Sequence, residues 1–300
     1  MIIELTDTSS RDVASALINA KRTAGASGLV LTLLIVTTDE HFDEVLAAAK
    51  TSATAHPSRV IVVTYVDADA ARLDASIEVG EGLPGELIVL RLHGELRDHG
   101  DSICLPLLLP DSPTIVWWPH DAPDHLAEDP IGSLADRRIT DAAGCHDPQD
   151  ALRRRALNHA PGDTDLTWTR LTRWRALLAA AMDQTQAEVT GAVVTSSPDN
   201  APATLLAAWL SDRLGVDVSR TDGPLPGVNE VRLTTAEGDI TVKRVAEGTA
   251  QYQVPHQPQR TVALRRRPLT DLLTEELQRM DADDIFEAAT QRLVAEAEGH

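Results

Sequence analysis

Aromatic and basic side chains converge at two places in this 300-residue chain. Trp117-Trp118-Pro119 closes one apolar run, and the stretch from Pro161 to Arg175 holds Trp168, Arg170, Arg173 and Trp174. With five tryptophans, two tyrosines and two phenylalanines in all, four indoles in two short segments are a marked concentration. Indole and guanidinium groups are enriched at binding hot spots, and indole is equally at home in a core. At helical spacing Leu171, Trp174, Leu178 and Ala181 form one stripe, with Arg170 and Arg173 on the adjacent strip. The plainer reading buries Trp174 and pairs the arginines with surplus acids of the same chain. The functional reading makes Trp117, Trp118, Trp168, Arg170, Arg173 and Trp174 the contacts to a partner, or the supports of those contacts.

Anion binding is a second chemistry. Ser196, Ser197 and Asn200 lie between a strand-like run and a helix-like one, where free N–H groups and the helix dipole favour negative charge. No lysine or phosphate-loop glycine pattern accompanies them, so ordinary helix capping is the favoured reading and a sugar phosphate or similar anion the second. Gly80 to Gly85 matches the dinucleotide fingerprint letter for letter, but that chemistry needs a helix after the glycines. Here a strand-like run, Leu87 to Leu92, follows, and a hairpin loop is the better reading. His99-Gly100-Asp101-Ser102 reads as a capped turn, because catalytic triads are assembled from separated segments. His120 to His125 reads as a solvated loop, since Pro123 breaks any metal-ligand spacing. No catalytic residue, metal site or cofactor is expected.

The totals narrow the partners. Against 27 Lys and Arg stand 46 Asp and Glu, a formal charge of -19, which disfavours nucleic acid and anionic membrane and points to proteins or small molecules. Cys104 sits in an apolar run and Cys145 in a polar one, and two cysteines make no disulfide framework. The N-terminus lacks the pattern of a signal peptide, and no apolar run reaches the roughly 20 residues of a membrane span. A cytoplasmic protein is expected.

Two α/β domains with mixed sheets would position these residues. A helix from Ser9 or Ser10 to Gly25, a buried strand over 29–36, a helix over 42–54 and a strand over 59–66 make a βαβ unit with a parallel pair. Strands over 75–79 and 86–92 follow as an antiparallel pair, then an apolar segment over 105–109 and a strand over 114–118. From about 120 to 165 four prolines suggest an irregular connector with short helices over 131–136 and 149–157. The second half reads as a helix over 166–182, a strand over 188–195, a helix over 201–214 ended by Gly215, and strands over 216–219, 230–234, 240–244, 249–254 and 261–265. Helices over 269–280 and 283–297 close it. The expected domains are 1–160, including the connector, and 161–300. Leu-Ile-Val-Thr-Thr-Asp before one helix is echoed by Ala-Val-Val-Thr-Ser-Ser-Pro-Asp before another, as a diverged duplication would leave.

Several ordered motifs carry a family resemblance. They are Asp98 to Ser102, Leu105 to Pro113, Val116-Trp117-Trp118-Pro119, Asp129-Pro130-Ile131-Gly132, Arg137 to Asp141, and Pro161 to Leu178. Together they resemble the OpcA family of glucose-6-phosphate dehydrogenase assembly proteins. The similarity runs from the first helix to the closing Leu-Thr-Asp-Leu-Leu-Thr-Glu-Glu-Leu segment and is weakest over 215–260. It implies a non-catalytic protein that binds glucose-6-phosphate dehydrogenase, promotes its oligomeric assembly and raises its activity, supporting NADPH production in the oxidative pentose phosphate pathway. The competing expectation is a sugar-phosphate sensor or enzyme that uses the 196–200 loop.

Overall fold

The computed structural model describes residues 1–24, 28–80 and 85–299, so the expected hairpin loop at the glycine fingerprint and the Gly25 helix end lie outside the described residues. In chain order, strand β1 (Ile2–Leu5) precedes helix α1 (Ser10–Ala24), β2 (Leu31–Thr37), α2 (Phe42–Ala55), β3 (Ser58–Val66), β4 (Arg72–Val79) and β5 (Glu86–His93). The short α3 (Gly100–Cys104), β6 (Thr114–Trp118), β7 (Arg137–Thr140), α4 (Pro148–Leu157) and β8 (Asp163–Asp165) follow. Next come α5 (Leu166–Arg170), α6 (Thr172–Met182), β9 (Val189–Ser196), α7 (Ala201–Leu214), β10 (Val218–Asp222), β11 (Val228–Thr235), β12 (Gly238–Ala246), β13 (Thr249–Gln253) and β14 (Arg260–Ala263). Helices α8 (Leu269–Glu276) and α9 (Asp284–Ala297) end the chain.

Two compact units are each drawn from separated stretches. The first comprises Met1–Thr140, Ala160–Thr164 and Leu269–Ala282; the second comprises Asp141–His159, Asp165–Pro268 and Asp283–His300. The first is organised on an eight-stranded mixed sheet of order β1-β4-β5-β3-β2-β6-β7-β8. Its centre is parallel: β2 pairs with β3 and with β6, β3 with β5, and β6 with β7. β2 is buried along its full length, which is why it reads as an unbroken branched apolar run. Leu34, Val36, Ile61, Val63, Ile88 and Leu90 join one core with Val13 and Leu17 of α1. Residues between them in sequence point to the opposite face by the period of two. There α8 packs against α2, with Leu272 and Leu273 buried.

The second unit holds a six-stranded sheet, β10-β9-β11-β12-β13-β14, parallel only between β10 and β9. Asn200 caps α7 by accepting from the Ala203 N–H, and Gly215 ends it at φ 66°, a left-handed position that glycine fills without a Cβ penalty. The strand–turn–helix of β2 and α2 recurs as β9 and α7, the two segments whose sequences echo each other.

Two local expectations are corrected. The supposed irregular connector contains β7 and β8, the former hidden in the sequence because Arg137-Arg138 reads as exposed although both side chains are buried. The single helix expected over 166–182 is two helices broken at Leu171, whose ψ of -9° departs from helical geometry.

Candidate functional site

The segment around Leu171 is anchored from its start. Asp165 caps α5 by accepting from the Thr167 N–H at 2.7 Å, and its second carboxylate oxygen accepts from the Ala142 N–H at 2.9 Å. Trp168 is buried; its Nε1 donates to Asp283 Oδ2 at 2.8 Å, and the Arg175 guanidinium lies 3.4 Å from its ring centroid. Trp174 is buried too, with Arg244 above its ring at 5.8 Å. In the first unit Trp117 and Trp118 are buried within β6, Trp118 on the α1 side of the sheet and Trp117 pointing to the opposite face. All four indoles are buried, so none presents its ring to the surface.

The arginines are placed differently. In the second unit a cavity of about 180 Å³ is lined by Arg170, Arg173, Arg244, Arg265, Arg266 and Arg267, with Leu171, Trp174, Val228 and Leu264 supplying apolar wall. Arg170 donates from both terminal nitrogens to the two oxygens of Asp141, at 2.5 and 2.8 Å. Burial pushes the Asp141 carboxyl up to about 6 even though Arg170 pulls it down. Asp141 is thus the acid that the plainer reading assigned to Arg170, and it remains ionised at neutral pH. The others make mostly backbone bonds. Arg173 Nη1 donates to the Arg265 carbonyl at 3.3 Å, Arg244 Nη1 to the Leu264 carbonyl at 2.6 Å, Arg266 Nη2 to the Pro226 carbonyl, and Arg267 Nη1 to the Thr169 carbonyl at 3.3 Å. Burial and then the nearby positive charge of Arg266 lower the Arg244 pKa from the usual guanidinium value.

Ser196, Ser197 and Asn200 lie beside this cavity but are committed locally. Ser196 Oγ donates to the Ser197 carbonyl at 2.9 Å, Ser197 Oγ accepts from the Gly227 N–H at 3.0 Å, and Asn200 spends its carbonyl oxygen on the α7 cap. Gly227, held by Ser197, and Pro202, in the first turn of α7, both line the cavity. The turn therefore shapes one wall while arginines supply the charge. The fold brings together Arg170, Arg173, Trp174 and the 196–200 turn, which the sequence offered as unrelated candidates. Arg244, Arg265, Arg266 and Arg267 were not singled out. Three consecutive arginines in so acidic a chain were the available signal.

The remaining constellations are ordinary in geometry. Ser102 Oγ donates to the His99 carbonyl at 3.0 Å, a closed turn. His120 stacks on His41 with ring centroids 3.7 Å apart. Among the described residues no group of three or more His, Cys, Asp or Glu side chains is placed to hold a metal ion, and no helix is long and apolar enough to cross a membrane. Cys104 is fully buried, and burial pushes its thiol up to about 12.

Comparison with known proteins gives two family matches in order. Residues 49–157 match the family described as the N-terminal domain of a subunit of glucose-6-phosphate dehydrogenase. Residues 161–290 match the family described as the C-terminal domain of the same protein. No curated protein sequence matches. Among solved structures, a dehydrogenase (MviM) from Clostridium difficile is similar with a TM-score of 0.45 at 6% identity, covering 90% of this chain and 99% of that one. An NAD binding oxidoreductase from Klebsiella pneumoniae is similar with a TM-score of 0.41 at 10% identity, covering 90% and 96%. An oxidoreductase from Sinorhizobium meliloti has a TM-score of 0.39 at 10% identity, covering 90% and 89%. Likenesses this distant bear no argument about activity.

Proposed function

The chain belongs to the OpcA family of glucose-6-phosphate dehydrogenase assembly proteins, and from that premise we propose that it is a non-catalytic assembly partner and allosteric activator of glucose-6-phosphate dehydrogenase. Membership is the single observation that carries the reading, since both matched domain families are described as parts of a dehydrogenase subunit. In this role it supports NADPH production through the oxidative pentose phosphate pathway, as a cytoplasmic protein.

An activator must bind the active state of its target more tightly than the inactive one; equal affinity shifts nothing. A coupling of roughly 1.4 kcal/mol corresponds to a tenfold preference. Exposed Arg173 and half-buried Arg170 are the proposed contacts, Arg170 held by Asp141 and Arg173 bonded to the Arg265 carbonyl, with the buried Trp168 and Trp174 as supports of the same segment and Trp117 and Trp118 as supports in the first unit. The test is titration into purified dehydrogenase, following mass by light scattering and rate with substrate and nicotinamide cofactor present. A stoichiometric complex with a higher rate is expected. A mixture that keeps the separate masses and the original rate would remove the proposal.

A further inference from the structure

The geometry points to the arginine-lined cavity of the second unit as a binding site for a phosphate monoester. This goes beyond the assembly reading and does not depend on it.

Six arginines are among the residues lining one cavity in a chain whose formal charge is -19. A structural surface would be expected to draw its counter-ions from the 46 available acids. Arg170 does so through Asp141. Arg173, Arg244, Arg265 and Arg266 meet no carboxylate within ion-pair distance among the described residues. Where these side chains make hydrogen bonds, the acceptors are backbone carbonyls. Such bonds fix the planes of the guanidinium groups and leave their positive charge without a counter-ion. Like charges gathered this way destabilise the empty fold. At Arg244 burial first, and then the charge of Arg266, disfavour the charged form.

Size and shape select the ligand. The cavity measures about 180 Å³. That suits a phosphoryl group with the first atoms of its ester and is below the roughly 300–1,000 Å³ of pockets for drug-sized ligands. Guanidinium forks match phosphate oxygens two at a time, which a point-like ammonium cannot do. Trp174, Leu171, Val228 and Leu264 present apolar wall to the carbon side of an ester. The negative charge elsewhere on the chain is screened beyond about 8 Å at physiological ionic strength, so the local arginines decide what enters. An extended acidic protein segment would find only a small concavity.

Calorimetry and thermal unfolding of the full chain, without any dehydrogenase, test this. The probes are inorganic phosphate and glucose 6-phosphate, with unphosphorylated glucose, chloride at matched ionic strength and poly-L-glutamate as comparisons. Saturable heat and a raised melting temperature are expected for both phosphates, more strongly for the ester, and for none of the comparisons. Arg266→Gln is expected to weaken binding by about tenfold or more, and Arg265→Gln with Arg266→Gln to remove it. Both variants are expected to melt at or above the parent temperature, because their loss relieves repulsion. Arg173→Gln, altering an exposed side chain, repeats the test where folding is not at issue. Absence of heat and of stabilisation with both phosphates overturns the inference. So does equal stabilisation by chloride, unchanged affinity in all the variants, or a preference for poly-L-glutamate. None of these results bears on whether the chain binds the dehydrogenase.

Discussion

Trp168 does more for the second unit than its apolar area suggests. Its ring carries the Arg175 guanidinium on one face and meets Phe286 at 5.8 Å, while its N–H reaches Asp283, the residue that caps α9. One side chain thus connects three helices of that unit. Trp168→Ala is expected to cost about 3–5 kcal/mol, read from the denaturation midpoint, because it combines a large cavity with the loss of a donor. Trp168→Phe should cost less and still shift the α9 cap. Arg173→Ala, at an exposed position, should stay within about 0.5 kcal/mol. If Trp168→Ala proves as mild as Arg173→Ala, the supporting role assigned to the indole is wrong. Asp141 gives a prediction with a sign. Its native pKa of about 6 lies above the ordinary carboxylate value of about 3.9, so between those values the folded chain holds a proton that the unfolded chain has lost. Its contribution to stability is complete below about pH 4 and is lost as the pH rises through about 6. Asp141→Asn, which imitates the protonated form, should therefore gain stability relative to the parent between about pH 4.5 and 7. A constant difference across that range would refute the shift. The sequence made Arg170 and Arg173 visible through their spacing. It hid Arg244 on a strand and Arg265 to Arg267 at a strand end, because only the tertiary fold turns those positions toward Trp174.

At the scale of elements, what was legible follows from burial. The parallel run of β2, α2 and β3 could be read because strands covered on both faces must be continuously apolar. The strands expected over 230–234, 240–244 and 249–254 fall on β11 to β13, where β11 alternates with one face inward. β7 was not legible. Arg137 and Arg138 look like surface residues, yet each is buried against an acid distant in sequence: Arg137 Nη2 donates to Glu276 Oε1 at 2.7 Å and Arg138 Nε to Asp163 Oδ1 at 2.5 Å. Pairing across 139 and 25 positions leaves no local signal. Nor was β1, four residues completed only by its antiparallel partner β4. The Arg137 pair makes a quantitative claim. Glu276→Ala leaves a guanidinium, 2% exposed, without its counter-ion and is expected to cost about 3–5 kcal/mol. Replacing both residues by Arg137→Met and Glu276→Leu should recover most of that loss, since a well-packed apolar pair avoids the desolvation penalty. A double variant as unstable as Glu276→Ala would show that the pair contributes more than mutual neutralisation.

For the whole molecule, the order of the units along the chain matters more than the number of domains. The first unit includes Leu269–Ala282, which follows the sheet of the second in sequence. α8 covers α2 with Leu272 and Leu273 at 0% exposure, joins it through the Ser52 and Thr274 hydroxyls at 3.1 Å, and brings Glu276 to Arg137. A chain ending at residue 268 therefore lacks one face of its first unit, although every strand of that unit's sheet is present. Such a truncation is expected to raise amide exchange across β2, β3 and β6, far upstream of the deleted positions. The deletion also removes α9 from the second unit, so a point variant must separate the effects. Leu273→Ala alters only the α8 side chain packed in the first unit and should cost about 2–5 kcal/mol there. Its effect on exchange should fall on β2, β3 and β6 and spare β11 and β12. Full protection of β2, β3 and β6 in the truncated chain would mean that α8 is dispensable to the unit it closes. Partner-binding experiments accordingly belong on the full chain, because a fragment over 1–160 would present an opened face of its own.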